Sequence, residues 1–226
     1  MTSMQNIVVL ISGRGSNLGA LIAADLASSP IVEQRARIAG VISNRPGAGG
    51  LDIARAHGIP TRIVDHTAFA GREPFDRALM AAIDAHAPDW VVLAGFMRVL
   101  GRDFVLHYAG RLLNIHPSLL PLFPGLHTHE RALAAGMRVH GATVHFVTPD
   151  LDSGPIVAQA VVPVVEDDTA ERLAARVLVQ EHRLYPQVLR WLVSGRARLG
   201  EDGRVRFDPP APEVAVMVSP PLGYCD

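Results

Sequence analysis

The stretch LLNIHPSLLPLFPG, residues 112–125, decides the fold, because it begins as a buried strand and ends in a turn. Apolar residues lead to Asn114 and His116, and Pro117 then stops the strand, since proline has no backbone N–H to donate. Residues two apart on a strand share a face, so the amide and the imidazole point the same way. Open α/β sheets bind their ligands at the C-terminal ends of parallel strands. The stretch therefore predicts a polar site at that edge of a sheet.

The chemistry of these two side chains allows two interpretations. An asparagine amide and a protonated imidazole are both hydrogen-bond donors, and two donors aimed at one point suit an oxygen that gains negative charge during acyl transfer. Asn114 and His116 could instead be strand-end residues whose polar groups bond to the neighbouring loop, as most buried polar groups do. The stretch alone leaves both interpretations open.

The composition is typical of one globular domain. The chain has 226 residues, of which 49% are hydrophobic and 19% charged, and its net charge is -1. We expect a single domain over residues 1–226, with its core at 6–207 and a proline-rich tail at 208–226. The sequence lacks the clusters of lysine and arginine that would predict nucleic-acid binding. Its apolar runs are all much shorter than the roughly 18 residues that span a bilayer. The single cysteine, Cys225, and the absence of a signal-peptide pattern favour the cytoplasm.

Short apolar runs alternate with alanine-rich stretches of helical spacing up to about residue 140. This rhythm predicts an α/β fold of Rossmann-like type, with a mostly parallel twisted sheet and helices on both faces. The predicted strands are residues 6–11, 38–43, 61–64, 90–94 and 111–115, and the predicted helices are 16–27, 49–58 and 72–87.

The pattern changes after residue 140 to an antiparallel C-terminal part. Two consecutive apolar runs, 141–147 and 156–165, predict a pair of strands joined by a turn. A long amphipathic helix follows over 169–195, with a possible kink at Pro186. The Asp-Gly pair within residues 197–207 predicts a final hairpin.

The loop ISGRGSNL, residues 11–18, joins the first predicted strand to the first predicted helix. Gly13 and Gly15 permit a tight turn, and Ser16 and Asn17 are good N-cap residues. Free N–H groups at a helix start bind anions, typically a phosphate. A leucine replaces the third glycine of the dinucleotide fingerprint, and no Gly-Lys-Ser/Thr follows, so neither of those motifs is present. A phosphate site and a plain tight turn both remain possible.

The turn TPDLDSGPI, residues 148–156, carries Asp150 and Asp152 just before an apolar run. A carboxylate beside an imidazole orients the ring and favours its charged form. Asp152 is therefore a candidate partner of His116, provided that the fold brings the two together. Taken alone, aspartates in turns more often serve as caps.

Three other polar features give weaker signals. His127 and His129 lie two apart and could bind a metal ion, but structural zinc sites take more Cys or His ligands at set spacing, so we predict no metal. The segment FMR, residues 96–98, follows another strand and could line a pocket. Glu181 and His182 fall on the long helix, where charged side chains are usually solvated or capping.

Five stretches together resemble one family, the folate-dependent formyltransferases. They are NIVVLISGRGSNL, PDWVVLAGFMRVL, LLNIHPSLLPLFPGLHTHERAL, HGATVHFVTPDLDSGPIVAQ and QEHRLYPQVL, and the resemblance covers about residues 6–207, nearly the whole chain. The NxHPSLLP stretch with the later LDxGP turn is highly specific to this fold, and the Gly-Arg-Gly-Ser-Asn loop favours the branch that formylates glycinamide ribonucleotide. Leu122 departs from the basic or small polar residue of many relatives, which bears on loop packing.

The resemblance implies a single-domain formyltransferase fold and a reaction. The formyl group would pass from 10-formyltetrahydrofolate, a co-substrate, to the amine of glycinamide ribonucleotide, a step of de novo purine biosynthesis that needs no metal. Asn114 and protonated His116 would stabilise the tetrahedral oxyanion, and Asp152 would hold His116.

The resemblance also assigns the substrate contacts. Gly15, Ser16 and Asn17 would hold the phosphate of the ribonucleotide, and Glu181 would contact its ribose hydroxyls. The residues implied for the folate are Arg72, Met97, Arg98, Val99, Leu100, Thr148 and Asp150.

Three rival functions remain at this point. Methionyl-tRNA formyltransferase shares the catalytic trio but usually adds a basic RNA-binding domain, for which this chain is short and neutral. Formyltetrahydrofolate deformylase, the main alternative, hydrolyses the same donor and normally carries an extra N-terminal domain. The third rival is a non-catalytic binding module, which would not need the catalytic trio of Asn114, His116 and Asp152. We expect small-molecule substrates, neither nucleic acid nor membrane as a partner, and a monomer or homodimer.

Overall fold

The computed structural model describes residues 4–26, 35–210 and 219. The strands are β1 (Gln5–Ile11), β2 (Ala36–Ser43), β3 (Thr61–Ile63), β4 (Trp90–Leu93), β5 (Leu112–His116), β6 (Val139–Phe146), β7 (Ile156–Pro163), β8 (Ala197–Leu199) and β9 (Val205–Phe207). The helices are α1 (Ser16–Ala23), α2 (Gly50–Ala56), α3 (Arg72–Asp84), α4 (Arg102–His107), α5 (Thr128–Ala134) and α6 (Ala170–Val193), with a 3-10 turn at His66–Ala68.

Seven strands form one sheet in the order β3-β2-β1-β4-β5-β6-β7. The first five in this order pair in parallel, whereas β6 and β7 are antiparallel to their neighbours. Strands β8 and β9 form a separate antiparallel pair. The predicted α/β class, the parallel sheet, the antiparallel C-terminal part and the final hairpin are therefore confirmed.

Helices cover both faces of the sheet, which explains why its strands read as continuous apolar runs. Along β1, Ile7, Val9 and Ile11 face the core beneath α1, α2 and α6. The alternate residues Val8 and Leu10 face the core beneath α3 and α4. All five side chains are fully buried, so β1 is an interior strand that is covered on both faces.

The long predicted helix is α6, and it contains Pro186 in its interior. Thr169 caps it, because its hydroxyl accepts a hydrogen bond from the backbone N–H of Arg172 at 3.3 Å. Its buried face follows a spacing of four residues through Leu173, Val177 and further positions. This face packs on the sheet and brings α6 beside α1.

Two short helices, α4 and α5, were not predicted, because six and seven residues carry too little periodicity to recognise. The first helix starts at Ser16 as expected, but its N-cap is Gly15, so the prediction that Ser16 or Asn17 would cap it was wrong. Most of the predicted tail, with Cys225, lies outside the described residues. Among the described helices, none combines the length and apolar character needed to cross a membrane.

Candidate active site

A cleft opens between β1 and β4, where the strand order reverses. The chain runs outward from β1 to β2 and β3 and then returns to β4 on the other side of β1, so the loops that follow β1 and β4 diverge. The cleft has a volume of about 280 Å³. Its lining residues are Ser12, Gly13, Arg14, Gly15, Ser16, Asn17, Arg45, Ala94, Gly95 and Met97.

The start of α1 forms one wall of this cleft. Gly15 has φ of 79°, and a Cβ there would lie 2.5 Å from the Cα of Gly50, so glycine is required on two counts. The backbone N–H of Gly50 donates to the carbonyl of Gly13 at 3.1 Å, which holds the loop against α2. Among the described residues no side chain caps the first N–H groups of α1, so they are available to an anion.

Arg14 and Arg45 add positive charge to the same cleft, and the sequence interpretation missed both. Arg45 follows the C-terminal end of β2, which lies beside β1 in the sheet. Both side chains are exposed, and neither pairs with a carboxylate among the described residues. Each arginine follows the C-terminal end of a predicted parallel strand, and this position could have indicated that both lie near the ligand site.

A hydrogen bond between Asn17, which lines the cleft, and Glu181 joins the first helix to the last. The Asn17 amide nitrogen donates to the Glu181 carboxylate at 2.7 Å, and each residue is 8% exposed. Burial raises the pKa of Glu181, and the bond from Asn17 partly offsets this. The amide oxygen of Asn17 is buried without a partner among the described residues.

The burial of Glu181 excludes the solvated alternative, while its contact with the ribose stays a prediction. Glu181 follows Leu173 and Val177 at intervals of four, so it lies on the buried stripe of α6. A carboxylate at a buried position of an otherwise apolar helix face indicates a functional residue. The helical spacing in the sequence was the signal that could have shown this. His182, the next residue, also has a buried ring nitrogen without a partner among the described residues.

The Ser12 hydroxyl, which lines the cleft, forms hydrogen bonds with residues that follow two neighbouring strands. It donates to the side-chain oxygen of Asn44 at 2.6 Å and accepts from the backbone N–H of Met97 at 2.8 Å. Ser12, Asn44 and Met97 follow β1, β2 and β4 respectively. This contact fixes the loop after β4 relative to the start of α1.

The structure brings His116 and Asp152 together, as the sequence predicted. The Nδ1 atom of His116 lies 3.5 Å from a carboxylate oxygen of Asp152, and the side chains are 7% and 9% exposed. The same oxygen accepts from the backbone N–H of Gly125 at 2.8 Å. The Nε2 atom of His116 lies 2.9 Å from the carbonyl oxygen of Phe123. Since both ring nitrogens face oxygen acceptors, a doubly protonated ring can donate to both.

His145, which the sequence interpretation missed, lies between Asn114 and Asp152. Asn114 on β5 pairs directly with His145 on β6, and its amide nitrogen lies 3.3 Å from Nε2 of His145. The other carboxylate oxygen of Asp152 is 3.9 Å from the same ring nitrogen. Burial lowers the pKa of His145, while the carbonyl of Phe146 and the carboxylate of Asp152 partly offset this.

The residues implied for the folate lie on three neighbouring segments. Arg72 begins α3, and the guanidinium of Arg98 stacks over the Phe75 ring of that helix at 4.8 Å. Asp76 on α3 accepts from the backbone N–H of Gly101 at 2.8 Å, which anchors the loop after β4.

That anchored loop presents apolar side chains to solvent. Met97 is 67% and Val99 55% exposed, while Leu100 packs against the core beneath α3 and α4. In the loop after β6, the Thr148 hydroxyl donates to the carbonyl of Asp150 at 3.3 Å. The exposed apolar edge is suited to the face of a flat aromatic ligand.

The two histidines of HTHE are separated in the fold. His129 contacts His140 at 3.2 Å between ring nitrogens, whereas exposed His127 pairs with Glu130 at 3.5 Å. Within residues 4–26, 35–210 and 219, no three metal-ligating side chains are grouped to hold an ion. Leu122 is 47% exposed on the loop between β5 and α5.

The sheet order, the cleft at its switch point and the paired His116 and Asp152 define a class of protein. The sequence profile of the formyl transferase family matches residues 5–189, and the chain belongs to this family.

The similarity to particular members is high and covers nearly the whole chain. It is 52% identical to phosphoribosylglycinamide formyltransferase of Escherichia coli over 197 residues, which are 87% of this chain and 91% of that protein. It is 46% identical to the human trifunctional purine biosynthetic protein adenosine-3 over 88% of this chain and 19% of that longer protein. The solved phosphoribosylglycinamide formyltransferase of Coxiella burnetii superposes with a TM-score of 0.84 at 48% identity, covering 91% of this chain and 94% of that one.

Proposed function

We propose that this chain transfers the formyl group of 10-formyltetrahydrofolate to the amine of glycinamide ribonucleotide. The products are formylglycinamide ribonucleotide and tetrahydrofolate, in de novo purine biosynthesis. The observation that carries the proposal is the position of His116, 3.5 Å from Asp152, at the C-terminal edge of the sheet whose switch point holds a cationic cleft. The 52% identity to the E. coli enzyme over 87% of this chain supports the same acceptor.

The reaction begins when the amine nitrogen of the acceptor attacks the formyl carbon. The formyl oxygen then becomes an oxyanion, and N–H groups of Asn114 and His116 donate to it. His116 must exchange the Phe123 carbonyl, which its Nε2 faces at 2.9 Å, for this oxyanion. Collapse of the intermediate breaks the bond between the formyl carbon and the folate nitrogen, and the proton lost by the amine is transferred to that nitrogen, with a water molecule as the carrier.

The phosphate of the acceptor lies at the start of α1 in this proposal. Backbone N–H groups of Gly15, Ser16 and Asn17 donate to it, and Arg14 and Arg45 in the same cleft supply compensating charge. A phosphate monoester carries a charge of about -1.5 to -2 at pH 7, so two arginines are an appropriate complement. Glu181, bonded to Asn17, then accepts from the ribose hydroxyls.

The folate lies on the other side of the trio. Its ring packs on the exposed apolar edge of the loop after β4, and arginines at the surface contact the acidic end of the molecule. The residues proposed for these contacts are Arg72, Met97, Arg98, Val99, Leu100, Thr148 and Asp150.

We propose further that the protein works in the cytoplasm as a monomer or homodimer. Its partners are two small molecules, and neither nucleic acid nor a membrane takes part. The net charge of -1 and the single cysteine support this setting. Formyl folate is a co-substrate, and the steps above need no metal.

The decisive test separates transfer from hydrolysis. Release of tetrahydrofolate is followed by absorbance with glycinamide ribonucleotide, with the unphosphorylated glycinamide riboside, and without any acceptor. We expect turnover that requires the ribonucleotide and a much higher KM for the riboside. Equal turnover without an acceptor would indicate a deformylase and overturn the proposal.

A further inference from the structure

We propose that His145 is a positioning residue that holds the side-chain amide of Asn114 with its nitrogen toward the ring, through a hydrogen bond between facing strands. This inference deepens the proposed function, because Asn114 is one of the two groups proposed to stabilise the oxyanion. His145 acts through Asn114 and does not itself touch the reacting atoms.

The sheet register places the two side chains directly opposite each other. Strand β6 runs antiparallel to β5, and Asn114 pairs with His145 while His116 pairs with Thr143. The register between β6 and β7 shifts between Val144 and His145, an irregularity of the kind that re-aims a side chain. His145 is 2% exposed, so the surrounding protein fixes its ring.

The neighbours of the ring determine its tautomer. Nδ1 of His145 lies 2.9 Å from the carbonyl oxygen of Phe146. A carbonyl oxygen can only accept, so Nδ1 carries the hydrogen. In the neutral ring Nε2 therefore has a lone pair and is an acceptor.

This tautomer in turn determines the orientation of the amide. Nε2 lies 3.3 Å from the Asn114 side chain, and only the NH₂ group of that amide can donate to it. A flipped amide would place its oxygen against the lone pair, so two acceptors would face each other. The neutral His145 ring therefore selects one of the two amide orientations.

Two titratable groups, Asp152 and His116, also influence the protonation of the His145 ring. A carboxylate oxygen of Asp152 is 3.9 Å from Nε2, which is too long for a hydrogen bond. The charge on Asp152 favours a protonated ring, whereas His116 opposes it. Burial is the largest influence and lowers the pKa of His145, so the ring stays neutral.

The orientation of the Asn114 amide decides whether an N–H donor or an oxygen acceptor faces the oxyanion. One N–H of Asn114 is engaged by His145, and within the described residues the amide nitrogen has no second partner, so the other N–H is available to a ligand. If the amide were free to flip, its oxygen would spend part of the time where a donor is needed, and the developing negative charge would meet an acceptor. His145 thus raises the fraction of enzyme molecules with a donor in place.

The test compares two substitutions at His145. Gln can present its side-chain oxygen to Asn114 in place of Nε2, whereas Asn is too short to reach and mimics only Nδ1. We expect His145→Asn to lower kcat about tenfold, the size expected for one hydrogen bond, and His145→Gln to stay within about threefold of wild type. The KM values of both substrates should be unchanged in each variant. Equal kcat losses in the two variants, or a kcat of His145→Asn at the wild-type value, would overturn the proposal.

Two further measurements separate positioning from a general structural role. In an Asn114→Ala background, His145→Asn should cause little additional loss of kcat, because its effect passes through Asn114. A full second loss would contradict this. Nitrogen-15 NMR of the wild-type protein should show hydrogen on Nδ1 of His145, and hydrogen on Nε2 alone would refute the inferred tautomer. The NMR result does not depend on formyl transfer, so it is distinct from any failure of the proposed function.

Discussion

Asn17 and Glu181 lie 164 residues apart in the sequence, yet the Asn17 amide donates to the Glu181 carboxylate at 2.7 Å. This bond connects α1, which follows the interior strand β1, with α6, which packs on the same face of the sheet. The proposed acceptor site is therefore assembled by the first and last helices of the fold, and both bonded residues are buried beside the cleft.

Glu181→Gln should weaken binding of the ribonucleotide selectively. The variant keeps an oxygen for Asn17 but loses the charge that accepts from the ribose hydroxyls, so the KM for glycinamide ribonucleotide should rise about tenfold or more. The KM for the folate should stay unchanged. Initial rates measured with each substrate varied in turn check this, with exposed Glu171→Gln on the same helix as the control. A rise in the folate KM alone would contradict the placement of the ribose.

Burial of the Glu181 carboxylate also predicts how this variant unfolds. Burial raises the pKa of Glu181, so the native protein pays for an ionised group away from water. The neutral glutamine removes that cost, and the free energy of unfolding should be equal to or higher than that of the wild type. Urea unfolding at neutral pH measures it, and a clear destabilisation would show that the charge supports the fold.

Asp152→Asn should abolish most turnover while the fold stays intact. Asp152 has φ of 49°, a left-handed conformation that asparagine tolerates, and asparagine can still accept from Gly125. The charge beside His116 is lost, so kcat should fall by at least about 100-fold. Exposed Asp103→Asn on α4 is the matched control. A kcat near the wild-type value would favour a binding module over an enzyme.

Arg45→Ala should raise the KM for the ribonucleotide and weaken its dependence on ionic strength. Arg45 lines the cleft without a carboxylate partner among the described residues, so its charge is available to a phosphate. We expect an increase in KM of about tenfold at low salt, with kcat unchanged. Exposed Arg62→Ala on β3 serves as the control, since it removes the same charge elsewhere. Identical salt profiles of the two variants would argue against a phosphate at this cleft.

The contact between His129 and His140 predicts a loss of stability in mild acid. Burial, with the neighbouring His129, lowers the pKa of His140 from 6.5 to about 4. Above pH 6.5 the ring is neutral in both folded and unfolded chains; as the pH falls toward 4, the unfolded chain takes up the proton first, so the free energy of unfolding decreases.

Urea unfolding at about pH 7.5 and about pH 5 measures this effect. His140→Gln should reduce the difference between the two conditions by on the order of 1–2 kcal/mol, because the variant has no ring to protonate. Exposed His57→Gln should leave the difference as it is in the wild type. An unchanged difference in His140→Gln would show that other groups cause the acid sensitivity.

Local patterns in the sequence were sufficient for the parallel sheet and for part of the site. The spacing of Asn114 and His116 places both on one face of β5, and Pro117 ends the strand there. The pairing of Asn114 with His145 could not be derived, because it depends on the register with which β6 folds antiparallel onto β5.

The cationic side of the cleft escaped prediction for a related reason. Arg45 lies near the Gly15 loop only because β1 and β2 are adjacent and parallel, so that their C-terminal ends meet. The burial of Glu181 could have been predicted, since its spacing from Val177 puts it on the buried stripe of α6. Because glutamate is charged, the residue type suggested a solvated position. When the other residues on the same helix face are apolar, the helical spacing predicts burial better than the residue type does.

The central claim is that His116 stabilises charge during formyl transfer, and a single-turnover measurement on His116→Ala tests it most directly. With enzyme in excess and both substrates saturating, we predict a rate on the order of 100-fold below the wild type, as expected for removal of an oxyanion donor. Exposed His57→Ala should react at the wild-type rate. A transfer rate in His116→Ala equal to that of the wild type would contradict the account.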